Sequence, residues 1–194
     1  MALPTKLNLK IYQGSTFQQT IRWESPSLSY KTITGITKAA PCVITSALHG
    51  IPAGWRFKVR NVAGMKEINT DDYLTASDTD TNTITVSGLN TLGYTAYTSG
   101  GVLEFNTPED LSGCSARMQI RAKLTSDVII DELTSQNNEI IIDNIAKTIV
   151  INIDAVTTAA YTFSTAVYSL EIVKGLVVTP LVFGSITLNK EITR

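Results

Sequence analysis

The sequence predicts an all-β fold, and three observations carry that prediction. Of its 194 residues only 17% are charged, while Thr, Ile, Val and Ser are abundant, which is the composition of strands and turns rather than of helices. Apolar and polar residues alternate over short stretches, most cleanly across 115–124. There Ala116, Met118, Ile120, Ala122 and Leu124 fall on one side and Arg117, Gln119, Arg121 and Lys123 on the other. Turn-forming clusters separate such stretches at short intervals, a spacing that suggests a sandwich.

From the N-terminus, Leu7, Leu9 and Ile11, then Phe17 and residues 20–23, alternate around Gln13-Gly14-Ser15 and read as a hairpin or two short strands. Their sheet needs a partner face, which 115–124 can supply. Further strands are expected at 139–143, 148–154, 167–173 and 183–188, set apart by Ser135-Gln136-Asn137-Asn138, Asp143-Asn144 and Lys174-Gly175. Between them, Asp154-Ala155-Val156-Thr157-Thr158-Ala159-Ala160 offers a cap and small residues for one helical turn crossing from sheet to sheet.

The middle of the chain has another texture. It holds the single His and most of the glycines and is crowded with Thr, Ser, Asp and Asn. Candidate strands at 42–46, 55–62, 72–75, 83–86 and 101–105 make a small barrel-like module. Because the N-terminal strands need strands from after Pro108 to complete a sandwich, the module is expected to be inserted in a loop, whose close-set ends tolerate insertion. The expected division is a discontinuous sandwich of 1–30 and 107–194 around a module of 31–106.

Bulk properties exclude some functions. The formal net charge is -1 and the basic residues never form a run, so the footprint of a nucleic-acid or anionic-membrane binder is missing. No N-terminal basic and apolar leader stands out, and the apolar runs near Ile140 and Val177 are too short to span a bilayer. A soluble protein without membrane insertion is expected. Cys42 and Cys114 are far apart and neither belongs to a metal-type pair, so two buried free thiols are the plain expectation.

Within the module, Ala40-Pro41-Cys42-Val43-Ile44-Thr45, His49-Gly50-Ile51-Pro52-Ala53-Gly54 and Val62-Ala63-Gly64-Met65-Lys66-Glu67-Ile68-Asn69 resemble the first catalytic cysteine half-domain of ubiquitin-activating enzymes, over 34–104. Despite its name that half-domain is not by itself catalytic, so the resemblance implies a scaffold or interaction module. The flanks resemble the immunoglobulin-like N-terminal domain of upper-baseplate and related tail proteins of phages. The matching pieces, in order, are Gly14-Ser15-Thr16-Phe17 with Ile21-Arg22-Trp23, Asp110-Leu111-Ser112-Gly113 with 116–121, Ile140-Ile141-Ile142-Asp143, Ile149-Val150-Ile151, Thr158-Ala159-Ala160, Tyr168-Ser169-Leu170-Glu171-Ile172 and Gly184-Ser185-Ile186-Thr187-Leu188 with Glu191-Ile192-Thr193-Arg194. Proteins of that type continue into helical or receptor-proximal parts. Ending at Arg194, this chain is expected to be an adaptor or decoration rather than a full fibre.

Candidate chemistry is sparse. His49, beside Gly50 and Pro52, suits a turn better than catalysis, and a Cys-His pair would require an exposed Cys42 or Cys114 next to it. Asp71-Asp72, Asp78 with Asp80, and Glu109-Asp110 could serve a glycan hydrolase as paired carboxylates, yet they suit solvated turns. Residues 78–82 lack the glycine and distal Glu of a calcium loop. Tyr94, Tyr97 and Ser99 form a candidate interaction loop, because tyrosine gives rigid amphipathic contact area for a sugar or a protein. Arg117, Arg121 and Lys123 share a strand face that could meet acidic groups of a neighbour.

The resulting expectation is a non-enzymatic structural part of a tailed-phage virion, in the tail, baseplate or neck, assembled in the host bacterial cytoplasm. It would need no cofactor or metal and would have other virion subunits or fibres as partners, as a homo-oligomer on the particle. The alternatives are a module binding a host-surface glycan through the Tyr94–Ser99 loop and a tail-associated glycan hydrolase.

Overall fold

A computed structural model of the chain describes residues 4–192. Strands hold 53% of it and helix 5%, the all-β fold that the composition predicts. Three short strands lead: β1 (Thr5–Lys6), β2 (Leu9–Tyr12) and β3 (Phe17–Ile21). Seven follow: β4 (Glu24–Thr32), β5 (Gly35–Ile36), β6 (Val43–Thr45), β7 (Arg56–Ala63), β8 (Leu74–Thr79), β9 (Thr83–Val86) and β10 (Ser99–Pro108). The last six are β11 (Cys114–Arg121), β12 (Ile129–Thr134), β13 (Ile140–Asp143), β14 (Thr148–Ile153), β15 (Thr165–Lys174) and β16 (Val177–Asn189), with helix α1 (Ala155–Ala160) joining β14 to β15.

Contacts divide the chain into two compact units, one of Met1–Trp23 with Asp110–Arg194 and one of Glu24–Glu109. The first is a sandwich. One sheet runs β1-β16-β15-β11-β12, with β2 also paired to β16, and the other runs β13-β14-β3. The chain crosses between sheets from β3 to β11, from β12 to β13 and, through α1, from β14 to β15. This is the strand order of an immunoglobulin-like sandwich, with the second unit occupying the β3–β11 connection. Met118, Ile120, Leu133, Leu170 and Ile186 of one sheet face Ile140, Ile149, Ile151 and Ile153 of the other, all within 1% of full burial. Each such side chain contributes about 1.5–3 kcal/mol over its exposed state.

Period-2 alternation marks faces, not partners, and two expectations change accordingly. The two arms around Gln13-Gly14-Ser15 are strands but not a hairpin, since β2 pairs in parallel with β16 while β3 pairs with β14 in the other sheet. The 115–124 strand ends at Arg121. Its pattern continues to Leu124, yet the chain turns there, with Ser126 N–H donating to Lys123 O, and Leu124 is 89% exposed. The α1 turn lies where the sequence placed it, because the Asp154 carboxylate accepts from Thr157 N–H at 2.6 Å and caps it.

The second unit is one seven-stranded sheet, β4-β10-β7-β8-β9-β6-β5. Its two edge strands are successive stretches of one segment, bent at Ile33-Thr34: Ile33 N–H donates to Gly101 O, and Thr34 N–H to Thr45 O. The edges are thereby brought round to each other over a separate core of Trp55, Phe57, Val59, Leu103 and Ile84, each fully buried. This unit is wider than 31–106 because β4, a polar strand carrying Pro26, pairs with β10 from Thr32 back to Glu24.

Candidate functional site

The sandwich's larger sheet turns a concave outer face to solvent. Register places Lys6 beside Phe183, Phe183 beside Ser169, Ser169 beside Gln119 and Gln119 beside Glu132, one row of outward side chains across five strands. The flanking rows are Ser185, Val167 and Arg121 on one side, and Glu171, Arg117 and Thr134 on the other. Together with Leu124, and without Glu132 and Thr134, they line a concavity of about 760 Å³, within the range of ligand-sized clefts. Its lining combines small Ser169, Ser185 and Gly184 with the larger Phe183, Arg117 and Leu124.

Gly184 is what lets the N-terminal segment form one wall. A Cβ on it would lie 2.1 Å from Leu7 O. In that close approach Leu7 N–H donates to Phe183 O at 2.8 Å, Ser185 N–H to Asn8 Oδ1 at 3.2 Å, and the Tyr168 hydroxyl to Leu7 O at 2.7 Å. Burial pushes the Tyr168 hydroxyl up to about 12.

Charge on this face is ordered. Arg117 meets the Glu171 carboxylate through Nε at 2.9 Å and Nη2 at 2.8 Å. Arg121 donates to Ser126 O at 2.6 Å and to Gln119 Oε1 at 2.8 Å, and Gln119 in turn donates to Glu132 at 2.7 Å. The strand face that carries Arg117 and Arg121 is thus the concave one, whereas Lys123 lies beyond the strand end in the turn.

The other candidates sit elsewhere. Tyr94 and Tyr97 are half-buried against the module's own core, and the Tyr97 hydroxyl is hydrogen-bonded to Ile33 O at 3.2 Å and Gly100 O at 3.0 Å. Ser99 is exposed at the start of β10. Their loop is fastened by Glu67, which accepts from Thr95 N–H at 2.8 Å and from its hydroxyl at 3.0 Å. The buried His49 ring accepts from Ile51 N–H at Nδ1, 3.0 Å away, and its Nε2 lies 3.2 Å from Thr83 O. Cys42 is a free buried thiol of the second unit, pushed up by desolvation, and Cys114 a free half-buried one of the first.

The acidic pairs are absorbed into turns and ion pairs. Asp80 accepts from Asn82 and Thr83 in the β8–β9 hairpin, and Asp71 pairs with Arg60 at 2.5 Å. Asp110 is held well below the carboxylate range by Ser112 and by Lys174, 3.0 Å away. A further acidic cluster was not visible in the sequence: Asp131, Glu139 and Asp154 gather at one end of the sandwich. There the buried Tyr161 hydroxyl donates to Asp131, and Glu139 is pushed up by desolvation and by its two acidic neighbours. Among the described residues, no group of three or more His, Cys, Asp or Glu is placed to hold a metal ion, and no helix is long and apolar enough to cross a membrane.

The residues of the concavity that sequence reasoning missed are Lys6, Val167, Ser169, Phe183 and Ser185. Each is the outward member of an alternating strand, and only cross-strand register brings them together. No family model and no curated protein sequence matches this chain.

Proposed function

We propose that this chain is a non-enzymatic structural part of a tailed-phage virion, in the tail, baseplate or neck, where it docks fibres or neighbouring subunits. The observation that carries this reading is the concave outer face. Except for Leu124 in the turn after β11, it is built from strand side chains, which hold a fixed shape, and it mixes exposed Phe183 and Leu124 with Arg117, Arg121 and Lys6, the aromatic and arginine content of protein-docking surfaces. An immunoglobulin-like mount carrying a second folded unit in one connection also suits an adaptor that meets two neighbours. The ordered resemblance of the flanks to phage tail domains supports a tailed-phage particle as its place. The test is mass spectrometry of purified particles with antibody-gold labelling. Label on the tail or neck supports the reading, and absence from intact particles refutes it.

A glycan-binding reading retains one specific observation, moved from the Tyr94–Ser99 loop to another face. Tyr30 and Tyr73 are 57% and 46% exposed. Tyr30 pairs with Glu104 and Glu104 with Lys58, whose ammonium lies 4.6 Å from the Tyr73 ring centre, so one outward row carries a tyrosine at each end. Binding on a glycan array that is lost in Tyr30→Ala is the outcome that favours it.

A further inference from the structure

We infer that the concave face takes the acidic end of a second copy of this chain, so that copies join head to tail. This contact rests on the docking reading and names its occupant. The chain is nearly neutral, at -1, yet its sandwich unit separates charge. The groove is lined by Lys6, Arg117 and Arg121 against Glu171 alone. Arg117 is matched by Glu171, which leaves two cations in excess, and Lys6 makes no ion pair among the described residues.

Asp131, on the edge strand β12 of the groove's own sheet, stands beside Glu139 and Asp154, which flank β13 and β14 of the other sheet; both aspartates are close enough to Glu139 to disfavour its charge, and none of the three makes an ion pair among the described residues. Beside them α1 presents Val156, 81% exposed. An acidic rim with an aliphatic tip thus answers a basic groove with an apolar wall of Phe183, Val167 and Leu124. The match holds in both charge and polarity, and charge complementarity of this kind selects partners and sets their register. Because groove and acidic end are different surfaces of one unit, the contact is heterologous. It generates a ring where the rotation closes and a filament where it does not.

The experiment is sedimentation velocity of the full chain over a concentration series at low and high salt, with Lys6→Glu, Glu139→Lys and the double variant. Both positions lie outside the two cores, and circular dichroism checks that each variant is folded. The wild type is expected to associate with rising concentration, less so at high salt. Each single variant should weaken association by about tenfold, the effect of turning one attractive surface pair into a repulsive one. The double variant, in which positions 6 and 139 have exchanged charge while Arg117, Arg121, Asp131 and Asp154 keep theirs, should recover part of it. A wild type that stays monomeric throughout, single variants that associate normally, or a double variant that stays weak each overturns the contact. Tail labelling with no association removes this contact alone, whereas association by a protein missing from particles removes the virion reading alone.

Discussion

Replacing Gly184 by alanine tests how the concave face is made. The added Cβ would lie 2.1 Å from Leu7 O and 2.8 Å from Leu7 C, both backbone atoms that cannot rotate away, so the N-terminal segment must lift from β16. Lifting it breaks the Leu7 N–H to Phe183 O, Ser185 N–H to Asn8 and Tyr168 hydroxyl to Leu7 O hydrogen bonds. At about 0.5–1.5 kcal/mol each, with the buried tyrosine hydroxyl at the upper end, the loss is about 2–4 kcal/mol. Urea unfolding of the sandwich gives the total, and amide hydrogen exchange at Leu7 and Ser185 locates it. If Gly184→Ala keeps both its denaturation midpoint and protection at these two amides, the N-terminal wall is not positioned by this close approach.

Other outcomes are expected on the same grounds. Because burial raises Tyr168 to about 12 above an unfolded value near 10, its contribution is fully present below pH ~10 and is lost as pH climbs toward 12. Stability should fall by about 2–3 kcal/mol over that window, and by less in Tyr168→Phe, as read by urea midpoints at each pH. Glu139 is raised by desolvation and its acidic neighbours, so its ionised form opposes folding at neutral pH. Glu139→Gln should raise the urea midpoint at pH 7 and lose that advantage as the pH falls through the usual carboxylate range. Phe57→Ala, in the second core, should cost about 3–5 kcal/mol. Trp55 lies in that core and Trp23 packs on the first, so in a Trp23→Phe background the emission shift should move to lower urea. In a Trp55→Phe background, the Trp23 transition should not move.

Alternation made much of the sandwich legible. Met118 and Ile120 were placed on one face from period 2 alone, the strand holding Ile149 and Ile151 was expected at 148–154, and Asp154 marked the helical crossover. What alternation leaves open is which strand lies beside which, and the concave face is a product of that register. Lys6 and Ser169 are 163 positions apart in the chain and share a row only because β1 and β15 both pair with β16. β4 was missed because it is an edge strand of Ser, Pro and Lys that buries little, and β12 because Ile129-Ile130-Asp131-Glu132 breaks the period at a bulge. The Tyr94 and Tyr97 loop drew notice for its composition, but composition does not show that both rings lean on the module's core.

The register of the inserted unit's two ends has a consequence for how such a chain can change. Glu24 pairs with Pro108, so the unit leaves and returns to its host one strand spacing apart, about 5 Å. A gap of that size can be closed by a tight turn as readily as by a whole folded unit. In genetic terms Glu24–Glu109 is a cassette. It can be exchanged, lengthened or removed at two junctions that are neighbours in space without altering the order in which the host's own strands pair, so change in the inserted unit is uncoupled from the strand pairing of the host.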